Sequence, residues 1–569
     1  MKNIAAFVVF IISLNVVTAQ ESRTSYPFYS GKDLGLTYSP KAATFKIWAP
    51  TATAAKLNLY KSDLGGTAIR SINMNKGENG IWQITVAENH KNSYYTFQVN
   101  IGNTWSEEVV DPYAKACGTN GLRAQVIDLK ETNPVGWAQD KSPNFSVSNK
   151  QTDAVIYELH VRDASIHESS GIKNKGKFLG LAEVGTKNSA GQSTGLSHIK
   201  ELGVTHVHLL PFYDYNSVDE TKAAVQYNWG YDPVNYNIPE GSYSTNPADG
   251  KVRIKELKEL IKTMHSNGLR IIMDVVYNHT ALTKNANFNI LVPDYYYRKR
   301  ADGSFSDASS CGNETASDNA MFQKFMIESV VYWVNEYHID GFRFDLMGIH
   351  DIETMNLISD TLHKIKPSIV LYGEGWTSSS SPLPEEKRAL KKNAAQLNGI
   401  AVFSDDMRDG IKGSVFNIDD RGFATGNIGN SESVKFGIVA AGKHPQINYS
   451  KVNYSKEPYT AGPAGLINYA DCHDNNILWD KIELSFKDAS VGERTKMHEL
   501  AHAIVLTAQG ASFLHAGTEF LRTKNGVENS FDKGDIVNGI NWDLKTKNNT
   551  RRWIRLYKLR TTKHYIVRR

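Results

Sequence analysis

Apolar and polar positions alternate in short runs through the first quarter of the chain. "ATFKIWAP", "AAKLNLYK", "GIWQITVA" and "YYTFQVNIG" each carry apolar side chains at every second position, between turn-forming residues. That period of two belongs to a half-buried strand. Several such strands in succession predict an all-β sandwich over residues 26–140.

From Asp153 the pattern changes to continuous apolar runs separated by helical segments. The runs are "AVIYELHVR" (154–162), "THVHLLP" (205–211), "LRIIMDVV" (269–276), "GFRFD" (341–345), "IVLYGE" (369–374), "IAVFSDD" (400–406), "LINYADCHD" (466–474) and "ASFLHAG" (511–517). Between them, Ile254, Leu257, Ile261 and Met264 recur at helical spacing, with Gly268 where a helix would stop. Phe322, Phe325, Met326, Val330, Trp333, Val334 and Tyr337 repeat the pattern, and "HELAHAIVLTAQG" ends on Gly510. Unbroken apolar strands alternating with helices imply parallel strands covered on both faces. Eight such units fit an α/β fold, a closed (β/α)₈ TIM barrel over residues 150–560.

Composition adds a compartment and removes some function classes. A chain of 569 residues with 41% apolar content is of ordinary globular type and long enough for two or three domains. Lys2, the apolar "IAAFVVFIISLNVV" and "VTA" before Gln20 read as a cleavable signal peptide over 1–19. The expectation is therefore an exported protein, periplasmic or extracellular. That apolar run is too short to span a bilayer, and no later run is long enough. Three cysteines, Cys117, Cys311 and Cys472, make no disulfide framework or metal cluster. The net charge of +4 belongs to the tail: eight Lys/Arg and no acid lie between Thr550 and Arg569. The rest has 56 basic against 60 acidic residues, which speaks against a nucleic-acid partner.

The candidate chemistry sits at the predicted C-terminal strand ends, where such barrels gather reactive groups. "GFRFD" sets Arg343 and Asp345 on one face of a strand and Phe342 and Phe344 on the other. Asp274, Asn278 and His279 follow the third strand, Glu374 closes the fifth, and His473 and Asp474 close the seventh. Paired carboxylates across a cleft suit glycosidic-bond cleavage, one ionised and one protonated. Arg343 beside Asp345 predicts a lowered carboxylate pKa, and partial burial of Glu374 near other acids predicts a raised one.

Four motifs, "DVVYNH" (274–279), "GFRFD" (341–345), "GEGW" (373–376) and "CHDN" (472–475), resemble in order and spacing the signature regions of the α-amylase family of glycoside hydrolases. The resemblance covers nearly the whole barrel. It implies a retaining double displacement with Asp345 as nucleophile, Glu374 as general acid/base and Asp474 as the third carboxylate. It also implies that His279, His473 and Arg343 bind the sugar of the cleaved subsite, with Asp274 in support. "YNWGYDP" (227–233), "LLPFYDYNSVDE" and "FLHAGTEFLRTK" resemble type I pullulanases, which hydrolyse α-1,6 branches. Tyr231 is suited to stack on a glucose ring, Trp229 to shape the cleft, and Trp376 to add a sugar contact. The β-rich segment is similar to the starch-binding-type module of debranching enzymes. Trp48, Trp82 and Trp105 are candidates for core or sugar platform, with core the default for the first two. An α-1,4-acting amylase or an isoamylase-like enzyme remains the alternative within this chemistry, because linkage preference depends on cleft shape.

Two readings from other classes compete. "HELAH" (498–502) matches the H-E-x-x-H zinc protease pattern, but it falls on the helix before the eighth strand, on the outer ring, and is read as a surface helix without a third ligand. A non-catalytic glucan-binding protein would fit better if Asp345 or Glu374 were replaced, and both are present. The expected partner is an α-glucan polysaccharide or oligosaccharide, with no nucleic acid, no membrane span and a monomeric chain. No cofactor is required and no metal ligands are assigned. Calcium is common in the wider family, but no dense acidic loop defines a site for it. The family also implies a C-terminal β-sandwich, which the residues after the last predicted helix (Trp553, Leu556, Leu559) do not supply, leaving the barrel's stability in doubt.

Overall fold

The computed structural model describes residues 26–548. The predicted signal peptide and the predicted last helix, with Trp553, Leu556 and Leu559, lie outside the described residues.

The first unit is a sandwich of two antiparallel sheets. Its strands are β1 (Gly35–Ser39), β2 (Ala42–Trp48), β3 (Ala54–Tyr60), β4 (Arg70–Asn73), β5 (Asn75–Lys76), β6 (Ile81–Ala87), β7 (Tyr94–Ile101), β8 (Thr104–Trp105) and β9 (Ala124–Gln125). One sheet runs β1-β2-β6-β5 and the other β4-β3-β7-β8, with β9 added to β7. The alternation in the sequence sets the packing: in β2, Ala43, Phe45 and Ile47 are buried while Thr44 and Lys46 are not. Phe45 meets Tyr95 edge to face at 4.9 Å. Trp82 is buried as expected, and Trp105 is exposed, with Lys56 Nζ 3.9 Å from its ring centre. Trp48 is buried too, but in the seam between units, against Tyr295 at 4.9 Å.

The second unit is a closed parallel barrel of eight strands: β10 (Val155–Leu159), β11 (His206–Leu209), β14 (Arg270–Val275), β15 (Gly341–Phe344), β16 (Val370–Gly373), β17 (Ile400–Phe403), β18 (Leu466–Asn468) and β19 (Ala511–His515). All eight fall inside the apolar runs of the sequence. Closure comes from parallel pairing of β10 with β19, Tyr157 opposite Leu514. An antiparallel hairpin, β12 (Tyr213–Tyr215) and β13 (Pro233–Pro239), is inserted after β11, and its connecting loop carries "YNWGYD", with Pro233 opening β13.

The helices between strands are built as the periodicity predicts. Gly250–Ser266 is capped by Asp249 and followed by Gly268 at φ 81°. Ala320–Tyr337 ends on a left-handed His338. Below the barrel the segment that follows β9 is clasped to it: His338 stacks on Trp137 at 4.3 Å, and Asp140 accepts from His338 (2.7 Å) and His265 (2.8 Å). His265 also pairs with Asp340 at 2.8 Å, and Lys366 reaches the other oxygen of Asp340. Among the described residues, no helix is long and apolar enough to cross a membrane.

Candidate active site

Strand alternation divides the barrel interior into an apolar floor and a polar mouth. Ile156, Ile272, Tyr372, Ala401, Ile467 and Phe513 form the packed floor. Two residues further along their strands, Ile156 gives way to Glu158, Ile272 to Asp274 and Phe513 to His515, all buried. The outward side chains, Phe342 and Phe344 among them, pack under the helices.

Arg343 lies at the centre of the mouth and is nearly fully buried. Nη1 donates to Asp345 Oδ1 at 2.7 Å and to Asp274 at 2.9 and 3.1 Å, while Nη2 donates to Glu374 Oε1 at 2.6 Å. One planar guanidinium thus draws the ends of β14, β15 and β16 together. Asp345 and Glu374 sit on its two terminal nitrogens. Asn278 Nδ2 adds donations to Asp345 Oδ2 (2.7 Å) and to the Asp345 carbonyl (2.8 Å). Glu374 Oε2 accepts from the backbone N–H of Leu346 at 3.0 Å.

The charges of these groups follow from burial and sharing. Burial pushes Glu374 up to about 7, against the pull of Arg343 and with help from Asp345 and Asp474. The expectation for Asp345 is corrected. Burial, with Asp274 adding to it, holds its carboxyl above the usual range despite Arg343 and Asn278. One cation shared by three carboxylates is too little to keep it low. Asp274 is the group the cation holds down: burial opposes it, yet Arg343 and His208 bring it to about 2. Its oxygens are taken by Arg343, by His208 Nε2 (3.1 Å) and by the Tyr231 hydroxyl (2.7 Å), so it supports the site rather than facing it.

The two predicted histidines differ in charge. Burial pushes His279 down to about 4, and its Nδ1 meets Asn278 Oδ1 at 2.5 Å. For His473 burial opposes the charge, but Asp474 and Glu158 outweigh it and raise the imidazole to about 9. Its Nε2 is 3.5 Å from Asp474 Oδ2. The Asp474 side chain keeps 47% exposure, which leaves it open to a ligand where Asp274 is closed.

The hairpin loop supplies the aromatic wall. Tyr231 stacks on His473 at 5.2 Å and 13° and lies 5.6 Å from the Arg343 guanidinium. Trp229 is buried and meets His473 edge-on at 4.9 Å, so it shapes the wall rather than offering a face. Trp376, partly buried, packs on the barrel-floor cluster just after Glu374.

Three features were not anticipated. Glu158, in the "VIYELHV" run, accepts from His473 Nδ1 (2.7 Å) and from the His473 N–H (2.6 Å). His208 lies between Glu158 and Asp274. The signal for both was a charged or polar residue in register with inward apolar positions of a buried strand. Third, Asp214, Glu220 and Glu240 are brought together by the fold, with oxygens within 4.8 Å, the one such group among the described residues. It does not fit calcium. Arg253 donates to Glu220 Oε2 (2.6 Å) and Asp214 Oδ1 (3.3 Å), the Asn120 N–H shares Glu220 Oε2, and Asn235 Nδ2 and the N–H groups of Ser242 and Tyr215 donate to Asp214 Oδ2 and the two Glu240 oxygens, so an arginine already sits among the three carboxylates and only Glu220 Oε1 is left without a hydrogen bond.

"HELAH" also needs correction. His498 and His502 are buried, not on the surface, with rings 4.8 Å apart. Thr518 Oγ1 lies 2.9 Å from His502 Nε2 and 3.3 Å from His498 Nε2, and burial holds both imidazoles neutral. The pair packs the helix Val491–Thr507 onto the barrel.

Comparison with known proteins gives a consistent result. The family described as carbohydrate-binding module 48 (isoamylase N-terminal domain) matches residues 33–114, and the α-amylase catalytic domain matches residues 178–302. A pullulanase of Bacillus subtilis (strain 168) is 41% identical over 91% of this chain and 69% of its own length. The crystal structure of a Paenibacillus barengoltzii pullulanase in complex with maltohexaose and α-cyclodextrin is 49% identical, with a TM-score of 0.90 over 96% of this chain and 83% of that one. A pullulanase from Bacillus acidopullulyticus is 44% identical, with a TM-score of 0.88 over 95% and 64%.

Proposed function

The chain belongs to the pullulanase family, glycoside hydrolases that debranch α-glucans at α-1,6 bonds, and on that premise we propose that Asp345 and Glu374 are its reacting pair in a retaining double displacement. The observation that carries the reading is that both carboxylates bond terminal nitrogens of Arg343. Glu374, raised to about 7, carries the proton that the leaving glycosidic oxygen takes. Asp345 attacks the anomeric carbon from the opposite side and forms a glycosyl ester. Glu374, now ionised, takes a proton from water, which breaks the ester with retained configuration.

Asp474 and His473 hold hydroxyls of the sugar in the cleaved subsite, His279 adds a neutral donor or acceptor, and Tyr231 covers the apolar ring face. Trp229 and Trp376 shape the walls. Acid, base and nucleophile are all side chains, so no step calls on a metal or cofactor. The protein is read as monomeric and, from residues 1–19, as exported.

The test is product analysis on pullulan against unbranched amylose. Maltotriose from pullulan with amylose untouched is the expected result, and the reverse pattern rejects the linkage in favour of an α-1,4 enzyme. Asp345→Asn is expected to abolish turnover with the fold intact. Full activity in that variant would overturn the assignment.

A further inference from the structure

We propose that Glu158 is a positioning residue of the reaction, whose carboxylate clamps His473 at two points and keeps that imidazole a charged donor toward the bound sugar. The inference rests on the reading of Asp345 and Glu374 as the reacting pair, since that reading makes the space in front of His473 the cleaved subsite.

Glu158 sits on β10, the strand opposite in the barrel to the one that carries Glu374, and its side chain is 2% exposed. It cannot touch a glucan. Both oxygens are spent on one residue: Oε1 on the His473 ring at Nδ1, 2.7 Å, and Oε2 on the His473 backbone N–H, 2.6 Å. A histidine held by ring and main chain has its rotamer and its Nδ1 proton fixed, which leaves Nε2 as the donor facing out. That nitrogen points to Asp474, the exposed carboxylate of the mouth. The clamp reaches further, because Tyr231 stacks on the same ring and Trp229 abuts it. One buried carboxylate therefore fixes a sugar donor and the aromatic wall beside it.

The charges around His473 support this. Glu158 stands behind it on β10 and Asp474 in front. Arg343 on β15 and Asp274 on β14 lie beyond Tyr231. His208 on β11 is 4.0 Å from Glu158, Lys524 Nζ is 3.3 Å from the His473 carbonyl, and His515 on β19 is held neutral by burial. Glu158 itself is held low: burial opposes the charge, but His473, His208 and Arg343 prevail. The two anions beside the His473 ring outweigh burial and Arg343.

Calorimetric affinity for maltotriose, followed from pH 5.5 to 9.5, tests the proposal with Glu158→Gln, Glu158→Asp, His473→Gln and the Glu158→Gln/His473→Gln double variant. Glu158→Gln keeps the shape and removes the charge. At pH 8 it is expected to bind about tenfold to a hundredfold more weakly than wild type. That deficit should shrink toward pH 5.5, where an imidazole near its ordinary value of about 6.5 regains its proton. Glu158→Asp keeps the anion and should run parallel to wild type. In the His473→Gln background, Glu158→Gln should add nothing. A Glu158→Gln profile parallel to wild type, or additive losses in the double variant, overturns the proposal. Binding heat does not depend on turnover, so a failed reacting pair would show separately, as activity surviving in Asp345→Asn.

Discussion

Leu346 donates its backbone N–H to Glu374 Oε2 at 3.0 Å from a left-handed conformation, φ 37° and ψ 47°. A branched residue seldom holds that geometry, which costs about 1–2 kcal/mol. It follows Asp345 directly. The end of β15 breaks from strand geometry there and aims an amide at the acid presented by the neighbouring strand. The strain lies beside the two carboxylates proposed to react.

Leu346→Gly relieves that strain and keeps the amide. It is expected to retain turnover on pullulan within about fivefold and to change stability by no more than about 1 kcal/mol. Leu346→Pro has no N–H and is barred from positive φ, so turnover should fall about a hundredfold or more. Equal losses in the two variants would mean that the side chain, not the amide, matters.

Arg343 is the one cation bonded to the buried carboxyl groups of Asp274, Asp345 and Glu374. Arg343→Met should lower stability by about 3–5 kcal/mol, read from urea unfolding, because the acids are left without their cation. Arg343→Lys keeps the charge but cannot span Asp345 and Glu374 together. It should cost turnover about 10²–10³-fold with a smaller stability loss, and the alkaline limb of the rate profile should move upward as Glu374 loses its cationic neighbour.

Turnover should fall as pH rises past about 7, since the acid must hold a proton and Glu374 sits at about 7. Glu374→Gln should lose cleavage of pullulan. An activated aryl glycoside, whose leaving group needs no proton, should still be attacked in the first step. A pullulan profile that stays flat to pH 9 would assign the acid elsewhere.

The clasp beneath the barrel has its own pH signature. Burial disfavours the His265 imidazolium, but hydrogen bonds to Asp140 and Asp340 raise it to about 9. The folded value lies above the unfolded one of about 6.5. Its contribution is therefore complete below about 6.5 and is lost as pH rises through about 9. His265→Asn should destabilise the protein by about 3 kcal/mol at pH 6, and much less at pH 10. An equal difference at both pH values would show a packing effect only.

The eight strands were legible because parallel strands buried on both faces leave unbroken apolar runs. The two carboxylates proposed as the reacting pair were visible as candidates because they end those runs. Glu158 and His208 were not, since one polar residue in an apolar run gives no hint of its partners across the barrel. The direction of the Asp345 shift was hidden for a similar reason: Arg343 is next to it in sequence, while the burial that raises its pKa, with Asp274 adding to it, arrives only through the fold. Asp214, Glu220 and Glu240 converge around Arg253 from separate segments, which no local spacing reveals. In "HELAH", the helical spacing was right but the face was not, because the site that buries His498 and His502 is made by Thr518 after the next strand.

Pairing of Val155–Leu159 with Ala511–His515 sets a schedule for synthesis. Until the second of these segments has left the ribosome, the first has a partner on one side only, and Leu466–Asn468 is likewise half paired. A nascent chain therefore carries two bare sheet borders through most of its elongation. Such long-range closure is slow and open to aggregation, so the yield of native enzyme should depend on chaperone supply far more than the stability of the finished barrel would suggest.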